Sequence, residues 1–319
     1  VSKDKSAVLL AGFGGPERPE DVRPFIDAVV QGRNVPEQRV AAVCAQYQQI
    51  GGASPYMQLT KKQASDLETY LNDRHFEVRV YAGFQFSQPS IAAAFKQMSA
   101  DGVENIAVII MAPQPASHSR YFATINAARD ELHKTGRCAS IAFVSSWHTH
   151  PLYAKAMADR VRSELDKLDA LTVKKTQIIF SAHSIPCQAS EHSGYARQVE
   201  ESAQAVFGEL SNTHRLDPPI VVGWQSRSGS PEEKWLEPDI SACITQAHTQ
   251  GKTHVLVVPI GFLVDHVEVL FDLDILAANH ARSLNMEMLR ASTVSNHPLF
   301  IELLSQLSQQ TLESLYVRS

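Results

Sequence analysis

Cysteine is scarce in this chain of 319 residues, and what there is stands scattered: Cys44, Cys138, Cys187 and Cys243 form no C-x-x-C pair and no terminal cluster. That excludes a disulfide-stapled scaffold and a cysteine-held iron–sulfur cluster, and it points to a reducing compartment. Long hydrophobic runs are missing too. No segment approaches the ~20 apolar residues that a membrane-spanning helix needs. The opening VSKDKSAVLLAGFGG has only a short apolar run that ends in a Gly-Gly-Pro turn, so it reads as a first strand rather than a signal peptide. Excess positive charge is absent as well. A net charge of −5 gives no general electrostatic reason to bind nucleic acid or an anionic membrane. Gly14-Gly15-Pro16 is not G-x-G-x-x-G, and no suitably placed acid follows it to bind a ribose, which rules out a dinucleotide site. Nucleophile elbow, P-loop and zinc-finger spacings are also lacking.

What is present is ordinary globular composition, 44% hydrophobic and 20% charged, in a chain long enough for two domains. Apolar runs predict strands at Ala7–Ala11, Glu77–Tyr81, Ile106–Met111 and Ser140–Val144, then at Gln177–Ser181, Ile220–Gly223, His254–Val258 and Glu287–Arg290. Helical patterns lie between them, over Leu59–Leu71, Ser90–Ser99, Tyr121–Lys134, Tyr153–Leu165, Gln198–Leu210 and Pro238–Gln250. Regular alternation of this kind means parallel sheets covered by helices on both faces. The expected fold is α/β: two Rossmann-like domains, each a doubly wound four-stranded parallel sheet, with a cleft between them. The domains are expected at 1–150 and 151–298, followed by a C-terminal helix over 299–319 that is free to pack back on the first domain.

Ligands of such folds bind outside the carboxyl ends of the strands. One of those ends is the stretch VLVVPIGFLVDHVEVLFDLD, residues 255–274, where a buried strand runs into a segment with helical periodicity. At ~100° per residue Asp265, Glu268 and Asp272 share one helical face and Asp274 points away. Apolar residues fill most of the remaining circumference, so a stripe of carboxylates there needs a partner, a cation or a water-lined cavity. Asp265 reads equally well as a helix cap and Asp274 as a solvated acid, whereas Glu268 sits one turn in, hemmed by Val264 and Phe271. A second strand ends directly in Ser181-Ala182-His183-Ser184, which places an imidazole at the same edge. Imidazole and carboxylate together make either a divalent-metal site or an acid/base pair tuned near neutrality. Ser54 and Tyr47 are candidates to bind a carboxylate or to cap and pack. Trp224 and Trp235 are candidates for a flat apolar slot or for the core.

The motifs F-S-A-H-S-I-P, G-W-Q-S, W-L-E-P-D and V-V-P-I-G-F-L-V-D-H-V-E-V-L-F-D-L-D resemble those of ferrochelatases. The likeness runs in order through A-G-F-G-G-P, I-G-G-A-S-P and N-H-P-L-F-I-E-L-L, covering essentially the whole chain. It implies insertion of Fe²⁺ into a porphyrin during haem synthesis, with His183 and Glu268 as the catalytic and metal-handling pair and Asp272 as a further metal donor. Phe13, Arg33, Tyr47, Ser54, Ser117 and Trp224 become the candidate substrate-binding residues. A short segment before Ile-Gly-Gly, containing Gln31-Gly32-Arg33, is most like the soluble, coproporphyrin-using branch; the protoporphyrin enzyme is the alternative, and a porphyrin carrier on the same fold is the non-enzymatic one. The resemblance further implies a cytoplasmic monomer with Fe²⁺ as substrate and no prosthetic group. Its partners would be the porphyrin and, transiently, other haem-pathway enzymes. By the resemblance, Phe13 stands where that branch often has a tyrosine able to approach the iron, so an oxygen ligand is absent there. Phe86 stands where the branch has a histidine and Leu276 where it has a further acid, which dismantles the outer metal site the resemblance would otherwise imply. Val30, Gln31 and Gln46 occupy positions where the branch tends to carry arginines.

Overall fold

Every residue of the apolar run Ser6–Gly12 is buried, and so is every residue of Asn105–Ile110. Such strands need neighbours on both sides and cover on both faces, which is the position of inner strands in a parallel sheet. The computed structural model describes residues 5–134, 139–211, 220–229 and 232–316. The chain forms two compact units: Val1–Ala112 with Ser117–Ser146 and Ser295–Ser319, and Pro113–Ala116 with Trp147–Val294.

The first unit runs β1 (Ser6–Gly12), α1 (Val22–Val30), α2 (Glu37–Gln49), α3 (Tyr56–Asn72), β2 (Arg79–Phe84), α4 (Ile91–Ala100), β3 (Asn105–Ile110), α5 (Ser119–Lys134) and β4 (Ser140–Phe143). Its four strands are parallel in the order β2-β1-β3-β4. One face packs Leu9, Ala11, Ile106 and Val108 against Phe95 and Met98 of α4 and Ile125 of α5. The other is covered by α3 and by the C-terminal helix Pro298–Tyr316, whose Phe300, Leu303 and Leu304 are buried. The last three residues of the predicted closing helix lie outside the described residues.

The second unit runs α6 (Pro151–Leu165), α7 (Ala170–Lys174), β5 (Thr176–His183), α8 (Cys187–Ser193), α9 (Tyr195–Ser211), β6 (Val221–Gln225), α10 (Ile240–Thr249), β7 (His254–Val258), α11 (Val267–Leu270), a π-helix (Asp272–Ala277), α12 (Ala278–Ser283) and β8 (Glu287–Arg290). The sheet order is β6-β5-β7-β8, again all parallel. Both sheets therefore have the predicted doubly wound α/β form. Val257 and Ile179 meet Ile244 of α10 and Leu273 of the π-helix on one face.

Three differences from expectation have physical causes. Helices α1, α2, α7, α8 and α12 were not predicted; α2 reads EQRVAAVCAQYQQ, and only Val40 and Tyr47 of it are buried, so it carries little apolar stripe to recognise. Pro113–Ala116, placed in the first domain by sequence, belongs to the second unit, because the Ala116 N–H donates to Gln198 at 2.9 Å and the Gln114 amide reaches Ser202. The expected single helix after residue 265 is broken into pieces, as described below. Cys44, Cys187 and Cys243 carry free thiols, and Cys138 lies outside the described residues. Among the described residues no helix is long and apolar enough to cross a membrane.

Candidate functional site

Strand β5 ends at His183, which lies in register with Gln225 at the end of β6. Between the two strands' ends and α11 runs the loop that carries Gly261. A Cβ added to Gly261 would lie 2.8 Å from the Ala182 Cβ and 3.0 Å from its Cα, so only glycine lets this loop close on β5. The Gly261 N–H then donates to the Ser181 carbonyl at 3.1 Å. That close approach brings Glu268, 85 residues on in sequence, to His183: the imidazole Nδ1 is 3.0 Å from Glu268 Oε2. His266 Nε2 lies 3.8 Å from the same oxygen, and its ring packs on Phe262 with centroids 4.6 Å apart.

The segment around Glu268 is not one continuous α-helix. His266 is extended, with φ −160° and ψ −175°, and α11 lasts four residues before the π-helix begins. The Leu276 N–H donates to the Phe271 carbonyl five residues back, the wide turn that defines a π-helix. Helical phase is therefore lost, and the predicted stripe of Asp265, Glu268 and Asp272 on one face is corrected. Asp265 and Asp274, expected on opposite faces, converge on Arg290 at the end of β8. The guanidinium Nε donates to Asp274 Oδ1 at 2.5 Å and Nη2 to Asp274 Oδ2 at 3.0 Å, while Asp265 Oδ2 receives Nη2 at 3.3 Å. Thr293 also donates to Asp265 at 3.1 Å. Asp265 is thus neither a cap nor a member of the site, and Asp274 is not simply solvated. Asp272 instead accepts from the Ser226 hydroxyl. Ser226 follows β6 with φ +62°, a left-handed conformation that few non-glycine residues hold without support. The Gln225 amide donates to the Glu268 carbonyl at 2.5 Å, fixing the acid from below. Sequence reasoning missed Gln225 and Ser226 in these roles, although both belong to the G-W-Q-S motif.

Electrostatics follow from this packing. Burial opposes the charged imidazolium, but Glu268 beside it, helped by Asp272, carries His183 above the usual histidine value. Burial likewise opposes the Glu268 carboxylate, yet His183 and His266 hold its pKa down at about 2. His266 goes the other way: burial lowers it, and the neighbouring acids do not compensate. Among the described residues no group of three or more His, Cys, Asp and Glu side chains is gathered as a metal centre. What the geometry does bring together is the hydrogen-bonded pair of His183 and Glu268.

The other predicted residues fall elsewhere. Trp224 is 4% exposed and packs on Tyr195, and strand alternation turns it to the face opposite Gln225. Tyr47 is buried edge-on to Phe25. Ser54 is buried, and its Oγ accepts the Tyr56 N–H at 3.2 Å at the start of α3. Ser117 is exposed in the 3₁₀ turn Pro115–Ser117, and Arg33 is exposed beyond α1. Leu276, on the π-helix, is 50% exposed. Phe13 follows β1, is 37% exposed and stacks tilted on Phe86 at 4.8 Å, and the Arg120 guanidinium lies 4.5 Å over the Phe86 ring. Arg120 was not singled out in the sequence, where it looks like any polar residue at a helix start.

Comparison with known proteins bears on this geometry. The model of the family described as ferrochelatase matches residues 5–312. The coproporphyrin III ferrochelatase of Nocardia farcinica is 35% identical, over 98% of this chain and 90% of that protein. A ferrochelatase of Rhodopirellula baltica is 34% identical over 96% and 86%, and a coproporphyrin III ferrochelatase of Corynebacterium glutamicum is 33% identical over 95% and 83%. Among solved structures, SirB from Bacillus subtilis with Fe³⁺ shares the fold at a TM-score of 0.59 and 12% identity, covering 97% of this chain and 96% of that one.

Proposed function

From the premise that this chain belongs to the ferrochelatase family, we infer that it inserts Fe²⁺ into coproporphyrin III in haem biosynthesis. The observation that carries the inference is the His183–Glu268 pair at the carboxyl edge of the second sheet. Insertion exchanges two pyrrole N–H protons for one dication, so it needs a base for protons and an anionic group for the metal. With Nδ1 bonded to Glu268, the Nε2 of neutral His183 is the nitrogen that accepts a pyrrole proton. Glu268 holds the imidazole in that tautomer and stabilises the imidazolium as it forms, as a buried carboxylate does for a histidine base. Because its pKa is held at about 2, Glu268 remains an anion throughout the neutral range and supplies the negative charge that Fe²⁺ meets. His183 and Glu268 thus handle proton and metal as a unit, with Asp272 supporting the charge of His183.

Coproporphyrin as the substrate is supported by the names of relatives at 35% and 33% identity. The same inference makes the protein a cytoplasmic monomer that uses Fe²⁺ as a substrate, carries no prosthetic group or iron–sulfur cluster, and contacts other haem-pathway enzymes only transiently. The test is anaerobic: Fe²⁺ with coproporphyrin III or with protoporphyrin IX, following the loss of porphyrin fluorescence as the metal enters. Faster loss with coproporphyrin III is expected. Preference for protoporphyrin IX would reassign the substrate, and turnover of neither would leave a porphyrin-binding protein on this fold.

A further inference from the structure

Arg290 is the last residue of β8 and stands in register with the buried Val257 of β7, so the sheet fixes its backbone. A guanidinium has five N–H donors, and here all five are committed. Nε and one Nη2 proton go to the two oxygens of Asp274, at 2.5 and 3.0 Å. The other Nη2 proton and one Nη1 proton go to the two oxygens of Asp265, at 3.3 and 3.4 Å. The remaining Nη1 proton meets the Ala291 carbonyl at 3.3 Å. Burial works against the cation, but the bond to Asp274 and the charges of both acids outweigh it and hold Arg290 above the usual arginine value. For stability alone, a well-packed apolar side chain serves such a place as well as a buried ion pair does. An apolar side chain does not, however, tie two separate points of the chain to one spot. Those two points bracket Glu268, and the span between them has little order of its own: His266 is extended, α11 lasts four residues, and a π-helix follows. So short a helix does not hold its shape unaided. Thr293 adds a bond to Asp265 at 3.1 Å, and Arg160, whose guanidinium donates to the Val294 carbonyl at 3.2 Å, adds charge on the same acid.

We propose that Arg290 is a positioning residue for metal insertion: by stapling Asp265 and Asp274 to the end of β8 it closes the span between them into a fixed loop and so holds the Glu268 carboxylate against His183. Gln225 secures the main-chain carbonyl of Glu268, and the staple fixes where the segment enters and leaves. Because every donor of Arg290 is engaged within the protein, it acts through Glu268 rather than on the porphyrin or the metal. The planar fork is what the role requires, since two carboxylates are held side by side in set directions; a lysine supplies the charge but only three donors and no fixed plane. Displacing a reacting group by about 1 Å from a distance costs up to about 100-fold in rate, so a looser staple is felt in the chemical step. The proposal rests on the functional reading given above.

The test compares the full chain with Arg290→Lys, which keeps the cation and loses the fork. Two readouts are taken: anaerobic insertion of Fe²⁺ into coproporphyrin III, and amide hydrogen exchange of the metal-free protein followed by mass spectrometry. In Arg290→Lys, kcat should fall about tenfold while KM for the porphyrin stays at the wild-type value. Exchange in the segment 265–277 should quicken about tenfold, and exchange in β5 and β7 should not change. Asp274→Asn makes the same test from the more exposed acid and should show the same pattern more weakly. A wild-type kcat in Arg290→Lys would overturn the proposal. So would faster exchange spread equally through β5 and β7, since the arginine would then act on stability alone. If the wild-type chain inserts iron into neither porphyrin, the functional reading fails, and the exchange measurement still decides the staple: unchanged exchange over 265–277 in both variants would overturn it.

Discussion

The Nδ1 atom of His183 lies 3.0 Å from Oε2 of Glu268, although the two residues are 85 positions apart and sit on a strand end and a short helix. The contact joins a base to the anion that tunes it. Each group departs from its ordinary value in the direction that favours charge, despite burial that opposes it. An imidazole raised in this way accepts protons more readily, while the carboxylate next to it never protonates at neutral pH.

Replacing Glu268 with Gln removes the main influence holding His183 up, and burial then dominates. The expected outcome is that His183 titrates above 6.5 in the wild type and below 6.5 in Glu268→Gln. NMR of the His183 ring protons across pH checks this. The sign carries to stability. The contribution of a raised His183 is fully present below 6.5 and is lost as pH rises through its folded value. The contribution of a depressed Glu268 is present above 4.5 and is lost as pH falls towards about 2. The stability gap between wild type and Glu268→Gln should therefore be widest between 4.5 and 6.5. A gap independent of pH would count against the pair.

Arg290 ties Asp265 to Asp274 across the π-helix. Arg290→Met leaves Asp274 without its cation and Asp265 with only the charge of Arg160 acting on it, so stability should fall by about 3 kcal/mol in urea unfolding. The double variant that also converts Asp274 to Asn should recover part of this loss, because one orphaned charge is gone. No recovery would mean that the arginine acts by packing alone.

Gly261→Ala introduces a methyl group into the backbone and side chain of Ala182. The loop must retreat from β5, costing about 2 kcal/mol by the usual penalty of overpacking. Since the same loop delivers Glu268, the pKa of His183 should fall with it. A variant as stable as the wild type, with His183 unmoved, would show that the close approach does not position the pair.

The strands were legible in the sequence because inner strands of a covered parallel sheet are unbroken apolar runs: His254–Val258 and Glu287–Arg290 stand at the residues predicted, and the other strand ends differ by at most three positions. His183 and Glu268 were legible because a titratable group on an apolar background is conspicuous. The placement of Asp265, Asp272 and Asp274 was not. A fixed 100° per residue assumes continuous helix, and here the chain is extended at His266 and then winds with the wider π turn. The contact of Arg120 with the ring of Phe86 was equally hidden, since the two lie 34 residues apart and periodicity does not connect them.

The central claim is that His183 takes the pyrrole protons during metal insertion. It is tested most directly by anaerobic insertion of Fe²⁺ into coproporphyrin III by His183→Ala, alongside thermal unfolding of the same preparation. Loss of the base should cut the rate by at least ~100-fold. Unfolding should remain a single cooperative transition, and the Kd for the porphyrin should stay close to that of the wild type. A variant that inserts iron at the wild-type rate would contradict the account, whatever the porphyrin preferred.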